Sequence, residues 1–250
     1  MKKLVAACAL TTLVVLPAQA DTLFGLYVGA QGWNMKTEGG FAQNAVLANF
    51  DFDNDTNTSF YAALEHPIPL LPNIKLVSST LDTAGVTQLD ASFTFANEVY
   101  TADSRLQTTA NLSTTDIILY YEILDNDLVS FDVGISGKYL DGEFAVVDTD
   151  TQQSSMASFE GIVPMVYSRF ALGLPLTGLG AYVEGSFLSI DNNTVTDYQA
   201  AITYNFIENL AIDMTFQAGY RATSVELEDV DDIYSDLEFK GAFVGLQFHF

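Results

Sequence analysis

Apolar and polar residues alternate with a period of two over much of the chain, the pattern of β-strands whose two faces meet different surroundings. From 212 to 221, Ile212, Met214, Phe216, Ala218 and Tyr220 share one parity, and Asp213, Thr215, Gln217, Gly219 and Arg221 share the other. Residues 129–139 set Val129, Phe131, Val133, Ile135 and Tyr139 against Ser130, Asp132, Gly134, Ser136 and Lys138. Residues 197–206 set Tyr198, Ala200, Ile202, Tyr204 and Phe206 against Asp197, Gln199, Ala201, Thr203 and Asn205. A helix would need apolar residues every three or four positions, and these stretches lack them. The alternation predicts ten strands, near residues 23–36, 58–66, 73–81, 113–124, 128–140, 157–172, 178–190, 194–206, 210–222 and 237–250. A further alternating stretch at 92–95 and 99–101 reads as a hairpin projecting beyond the others. Counting it as spanning gives twelve strands; eight is the alternative on the other side. Pro164, inside the sixth strand, predicts a bulge or a local loss of pairing.

The connections separate into two kinds. Those after odd-numbered strands are long, at 37–57, 82–112, 141–156 and 223–236, with 191–193 the short exception. Those after even-numbered strands are short, at 66–72, 125–127, 174–178 and 207–209. Long outer loops, short periplasmic turns and an even strand number are the regular features of barrels that span a membrane. No segment after residue 20 supplies the roughly 20 consecutive apolar residues that a membrane helix needs. The expected fold is therefore all-β: one transmembrane antiparallel up-and-down β-barrel of about ten strands, occupying residues 21–250. Alternation alone does not distinguish inside from outside, so a soluble barrel with its apolar face inward is the competing reading. Tyr and Phe near strand ends, mid-strand charges of both signs and a terminal Phe favour the membrane.

The start of the chain reads as an address. Lys2 and Lys3 precede an apolar run over residues 4–16, and Ala18-Gln19-Ala20 supplies a small-x-small cleavage pattern. Residues 1–20 are expected to be a secretory signal peptide, with Asp21 opening the mature chain. The single cysteine, Cys8, lies within it, so neither a disulfide nor thiol chemistry is expected afterwards. Removing Lys2 and Lys3 takes the formal net charge from −23 to −25. Such acidity excludes nucleic acid as a partner, because phosphate binding needs a basic patch. It points instead to divalent cations, cationic ligands or solubility.

Three places could carry chemistry. The first is the lumen, where the polar parity puts Glu65, Lys75, Asp116, Glu122, Asp132, Lys138, Arg169, Glu184, Asp197, Asp213 and Arg221. A ten-stranded barrel is narrow, and these charges with Tyr27, Tyr120 and Tyr182 are expected to fill it as a paired, hydrogen-bonded plug. The alternative is a narrow, porin-like channel preferring cations, since acids outnumber bases. The second place is the loops, which hold 19 acidic residues against the single base Arg105. Asp51, Asp53 and Asp55, and the cluster Glu226, Glu228, Asp229, Asp231, Asp232 and Asp236, are weak candidates for Ca²⁺ or Mg²⁺, for which carboxylates are suitable hard ligands. The spacing departs from the EF-hand pattern, with Thr56 where Gly belongs and Ala62 where the bidentate Glu belongs. Apart from loosely held divalent cations, no cofactor is expected. The third is an enzyme site, which is not expected. His66 and His249 are the only histidines, both sit at the periplasmic end, and no Ser nucleophile has an evident base. Trp33, the sole tryptophan, is expected to pack inside the barrel mouth.

The closing residues Val244, Leu246, Phe248 and Phe250 resemble the C-terminal signal read by the outer-membrane assembly machinery. With them, the stretches 23–29 (LFGLYVG), 119–126 (LYYEILDN) and 129–134 (VSFDVG) resemble a family of small outer-membrane β-barrel proteins of gammaproteobacteria, largely uncharacterised. That resemblance implies the outer membrane of a Gram-negative bacterium, with lipid and lipopolysaccharide as surroundings. It implies no substrate and no functional residue. The expected role is structural or surface-interacting.

Overall fold

The computed structural model describes residues 24–42, 47–126, 128–190, 193–209, 212–230 and 233–250. The expected signal peptide lies outside them. Fourteen strands run β1 (Gly25–Ala42), β2 (Ala48–Asn49), β3 (Asp55–Glu65), β4 (Asn73–Thr80), β5 (Thr83–Gln88), β6 (Phe93–Phe95), β7 (Glu98–Tyr100), β8 (Arg105–Asp125), β9 (Val129–Asp148), β10 (Ser154–Leu174), β11 (Leu179–Ile190), β12 (Asn193–Glu208), β13 (Asp213–Val230) and β14 (Ile233–His249). Ten of them, β1, β3, β4 and β8 to β14, pair antiparallel in sequence order, and β14 returns to β1 to close a barrel. The closing seam runs from Tyr27↔His249 to Ala42↔Tyr234 without a shift of register. Closure leaves no sheet edge in the hydrocarbon, where unpaired backbone groups would cost several kcal/mol each.

The twelve-strand alternative is excluded, because β6 and β7 pair only with each other. They form the projecting hairpin expected from 92–101. After a break at Leu81 and Asp82, β5 resumes the ladder of β4 against β8. Asn57 brackets the break, donating to the Asp82 carbonyl (2.9 Å) and accepting from the Asp82 N–H (3.0 Å). Of the two outcomes expected at Pro164, the structure has the loss of pairing. The β10–β9 register passes through Pro164↔Gly137 unbroken, while β10–β11 pairing stops at Val166. A residue without an N–H sits where no bond to a β11 partner is required of it.

The orientation of the faces is that of a membrane barrel. Ile135 (64% exposed), Ile162 (73%), Val166, Ile202 and Phe216 point outward, and Asp132, Ser136 and Lys138 are buried inside. This removes the soluble alternative, in which the apolar parity would fill the interior.

The strands run further than the alternation predicted, and most of the expected long loops are sheet. The reason is an exchange of chemistry between the faces. Along β9, even-numbered residues point inward throughout, first as Asp132, Ser136 and Lys138, then as Leu140, Phe144 and Val146. On the outward face Val133, Ile135 and Tyr139 give way to Asp141 and Glu143. β8 changes in the same way, with outward Ile117 and Leu119 but inward Leu106 and Leu112. A strand leaving the hydrocarbon meets water outside, and its apolar residues then gain by facing in. The protruding part encloses its own core of Trp33, Met35, Phe41, Phe50, Phe93, Phe95, Tyr100, Phe144, Phe159 and Phe239. Phe41 stacks on Phe144 with centroids 4.2 Å apart, and the β6–β7 hairpin folds over the top with Phe95 against Phe41 (5.0 Å).

Candidate functional site in the barrel lumen

Three layers of polar side chains lie in the lumen between this apolar core and the end with the short turns. The uppermost is ionic. Lys138 of β9, 1% exposed, donates to Asp116 of β8 (2.7 Å) and Asp197 of β12 (2.9 Å). Arg221 of β13 grips Asp197 with two nitrogens (3.0 and 2.7 Å) and donates to Ser79 of β4 (3.2 Å). Its guanidinium lies 5.0 Å from the Trp33 ring, joining the ionic layer to the core above. The bidentate geometry is the reason for arginine here, since lysine cannot present a fork to a carboxylate.

The middle layer is uncharged. Gln31 donates to Gln217 (3.2 Å), Gln217 to Tyr61 (3.0 Å), Tyr61 to Gln247 (2.8 Å) and Gln199 to Tyr182 (3.1 Å). Gly29, directly opposite Tyr61 in the β1–β3 ladder, leaves space for that ring: a Cβ there would lie 2.2 Å from it.

The third layer faces the short turns. Lys75 of β4 reaches Glu184 of β11 through both carboxylate oxygens (2.9 and 2.8 Å). Arg169 lies between Asp132 (3.6 Å) and Glu184 (3.7 Å). Tyr120 donates to Glu65 (2.6 Å), and Asn73 to Glu122 (3.0 Å). Below this layer a cavity of about 460 Å³ is lined by Tyr27, Tyr61, Glu65, His66, Lys75, Tyr120, Glu122, Asp132, Tyr167 and Arg169, among others. His66, Pro67 and Asn126 in its wall belong to the short turns, so it opens at that end.

Ten of the eleven charges expected inside thus meet in two groups: Asp116, Lys138, Asp197 and Arg221 above, and Glu65, Lys75, Glu122, Asp132, Arg169 and Glu184 below. Asp213 does not join them. It begins β13, accepts a bond from the Asn209 N–H (3.0 Å) and lies 3.5 Å from His249, so it braces a turn. A residue at a strand terminus shares the parity of the lumen without sharing its depth. The sequence reading missed the glutamines, which carry no charge to draw attention, although Gln31, Gln199, Gln217 and Gln247 all fall on the polar parity. It also missed the apolar core, although the phenylalanines within the supposed loops are its signal.

The acidic candidates for metal are dispersed. Asp51, Asp53 and Asp55 lie on extended, exposed chain and do not curl around a point; alternate residues of such chain stand roughly 6–7 Å apart. Among the described residues no group of three or more His, Cys, Asp or Glu side chains converges to hold an ion. Glu226, Glu228 and Asp236 are spread over β13 and β14; Asp231 and Asp232 lie outside the described residues.

No family model matches the chain, and no curated protein matches its sequence. Solved structures do match. They include the transport unit of the autotransporter AIDA-I from Escherichia coli (10% identity, 96% of this chain and 94% of that one, TM-score 0.40). Two more are the outer membrane protease OmpT from Escherichia coli (10%, 92% and 97%, TM-score 0.48) and a mutant of the monoaromatic hydrocarbon channel TodX (6%, 92% and 91%, TM-score 0.37). The likeness is one of fold, and a shared barrel says nothing of ligand or reaction.

Proposed function

We propose that the protein is an integral outer-membrane barrel of a Gram-negative bacterium with a closed lumen, and that its role is structural or surface-interacting. The contact of opposite walls carries this reading. Lys75 and Glu184 stand four strands apart around the barrel by the shorter path, as do Arg221 and Ser79, yet each pair is within hydrogen-bond distance. The interior is bridged at two depths and roofed by the aromatic core. In this reading the short turns face the periplasm and the long strands the outside. Val244 and Leu246 on the outward face of β14, with Phe248 on the same parity and Phe250 exposed just beyond its end, fit a signal for the assembly machinery. The acidic outward faces of the protruding strands, Asp141, Glu143, Glu226 and Glu238 among them, suit loose bridging by divalent cations to lipopolysaccharide phosphates. Membership of the gammaproteobacterial group that the sequence resembles agrees with this location, and no catalytic role is assigned.

Liposome swelling tests the closed lumen. Vesicles containing the refolded barrel should swell in small sugars and amino acids no faster than protein-free vesicles. Swelling that grows with the amount of barrel would favour the narrow channel instead.

A further inference from the structure

The periplasm-facing cavity has an unbalanced wall. Of the two cations in it, Lys75 is taken by Glu184 through both oxygens, and Arg169 is shared between Glu184 and Asp132 at 3.6–3.7 Å. Glu65, Glu122 and Asp132 therefore face the cavity with only half of one guanidinium to answer them. Tyr120 and Asn73 give Glu65 and Glu122 one neutral hydrogen bond each. Asp132 has less. Its side chain lines the cavity but is only 4% exposed, and its Oδ1 is buried with no hydrogen-bond partner. A buried carboxylate oxygen without a partner is costly, and positive charge in the adjoining cavity would offset part of that cost electrostatically.

The chemistry of the wall narrows the choice of cation. The cavity, at about 460 Å³, is far larger than a bare ion needs and falls within the range of small-molecule sites. No group of three acidic, histidine or cysteine side chains converges in the described residues as a metal would require. The rings of Tyr61, Tyr120 and Tyr167 also line the cavity, and the Lys75 ammonium already stands 5.1 Å from the Tyr61 centroid, so this wall accommodates an ammonium on a methylene stem. We propose that this cavity is a binding site for a small organic cation of the aliphatic polyamine class, whose ammonium groups are held by Glu65, Glu122 and Asp132. The site is a cup and not a passage, since the glutamine and ionic layers lie directly above it.

Titration calorimetry with spermidine, on the refolded full-length mature barrel in detergent, tests the site. Saturable one-site binding is expected. Asp132→Asn and Glu122→Gln should each weaken it about tenfold or more, while Glu226→Gln, on the outer surface, should leave it unchanged. If Asp132→Asn does not fold, as judged by heat-shifted gel mobility, Glu122→Gln at the cavity mouth decides alone. Absence of saturable binding to the parent barrel, or equal weakening by Glu226→Gln, would overturn the proposal. The second result would reduce any binding to general attraction by an acidic protein. A barrel that conducts ions yet binds spermidine through Asp132 would sink the closed lumen and leave this site standing.

Discussion

Lys138 ties two lumen carboxylates on different strands together. It is buried, it pairs with Asp116, and it shares Asp197 with Arg221. Removing one partner from a buried ionic group leaves charge without compensation, at about 3–5 kcal/mol. Lys138→Met should lower stability by that amount in urea titrations of the refolded barrel. Adding Asp116→Asn should recover most of the loss, since Asp197 keeps Arg221. A single variant as stable as the parent would mean that the pairs are incidental. Outside the membrane, Lys240 and Lys36 hold the Glu38 carboxyl down at about 2, with the Lys240 hydrogen bond the larger cause. A depressed carboxyl contributes stability above its unfolded value near 4.5, and loses it as pH falls towards 2. Lys240→Gln should therefore return Glu38 towards the ordinary carboxylate range, read by NMR titration. Its small stability deficit at neutral pH should shrink as pH drops through that window. The pair is exposed and screened, so the effect is slight. At this scale the sequence was legible where charge and parity coincide, as at Lys138 and Asp197. It was not legible where depth decides, as at Asp213, or where the partner is an uncharged amide, as at Gln217.

Each long strand joins two environments under one backbone register. Through the lower half of β9 the apolar residues face lipid, and from Leu140 onward they face inward. A search for one apolar parity ends at that exchange, which is why the expected strands stop near residue 140 and start near residue 113 while the sheet continues. The strand number and the short turns were legible because they depend on the membrane half alone, where parity is constant. The outer half needs the two parities to be read in succession. Because that half has its own aromatic core, its stability should be separable from the membrane belt. Phe144, wholly buried against Phe41 and Phe159, should cost about 3–5 kcal/mol on truncation to alanine. Hydrogen exchange should then show faster exchange in the protruding ends of β8, β9 and β14, with amides around Lys138 unchanged. Uniform acceleration throughout the barrel would mean that the two halves unfold as one.

At the scale of the whole molecule, the proposed function makes the barrel closed from the outside inward: an aromatic roof, an ionic layer, an amide layer, and then a cup at the end with the short turns. The surplus of acid is divided between the outer surface and that cup. In the proposed function nothing crosses the barrel. Single-channel recording of the refolded mature protein in a planar bilayer, with and without Ca²⁺, tests it most directly. A barrel that inserts, resists heat and stays silent in both conditions is expected. Steady cation-selective openings would contradict it, and would make Asp116, Asp197 and Glu184 the lining of a pore.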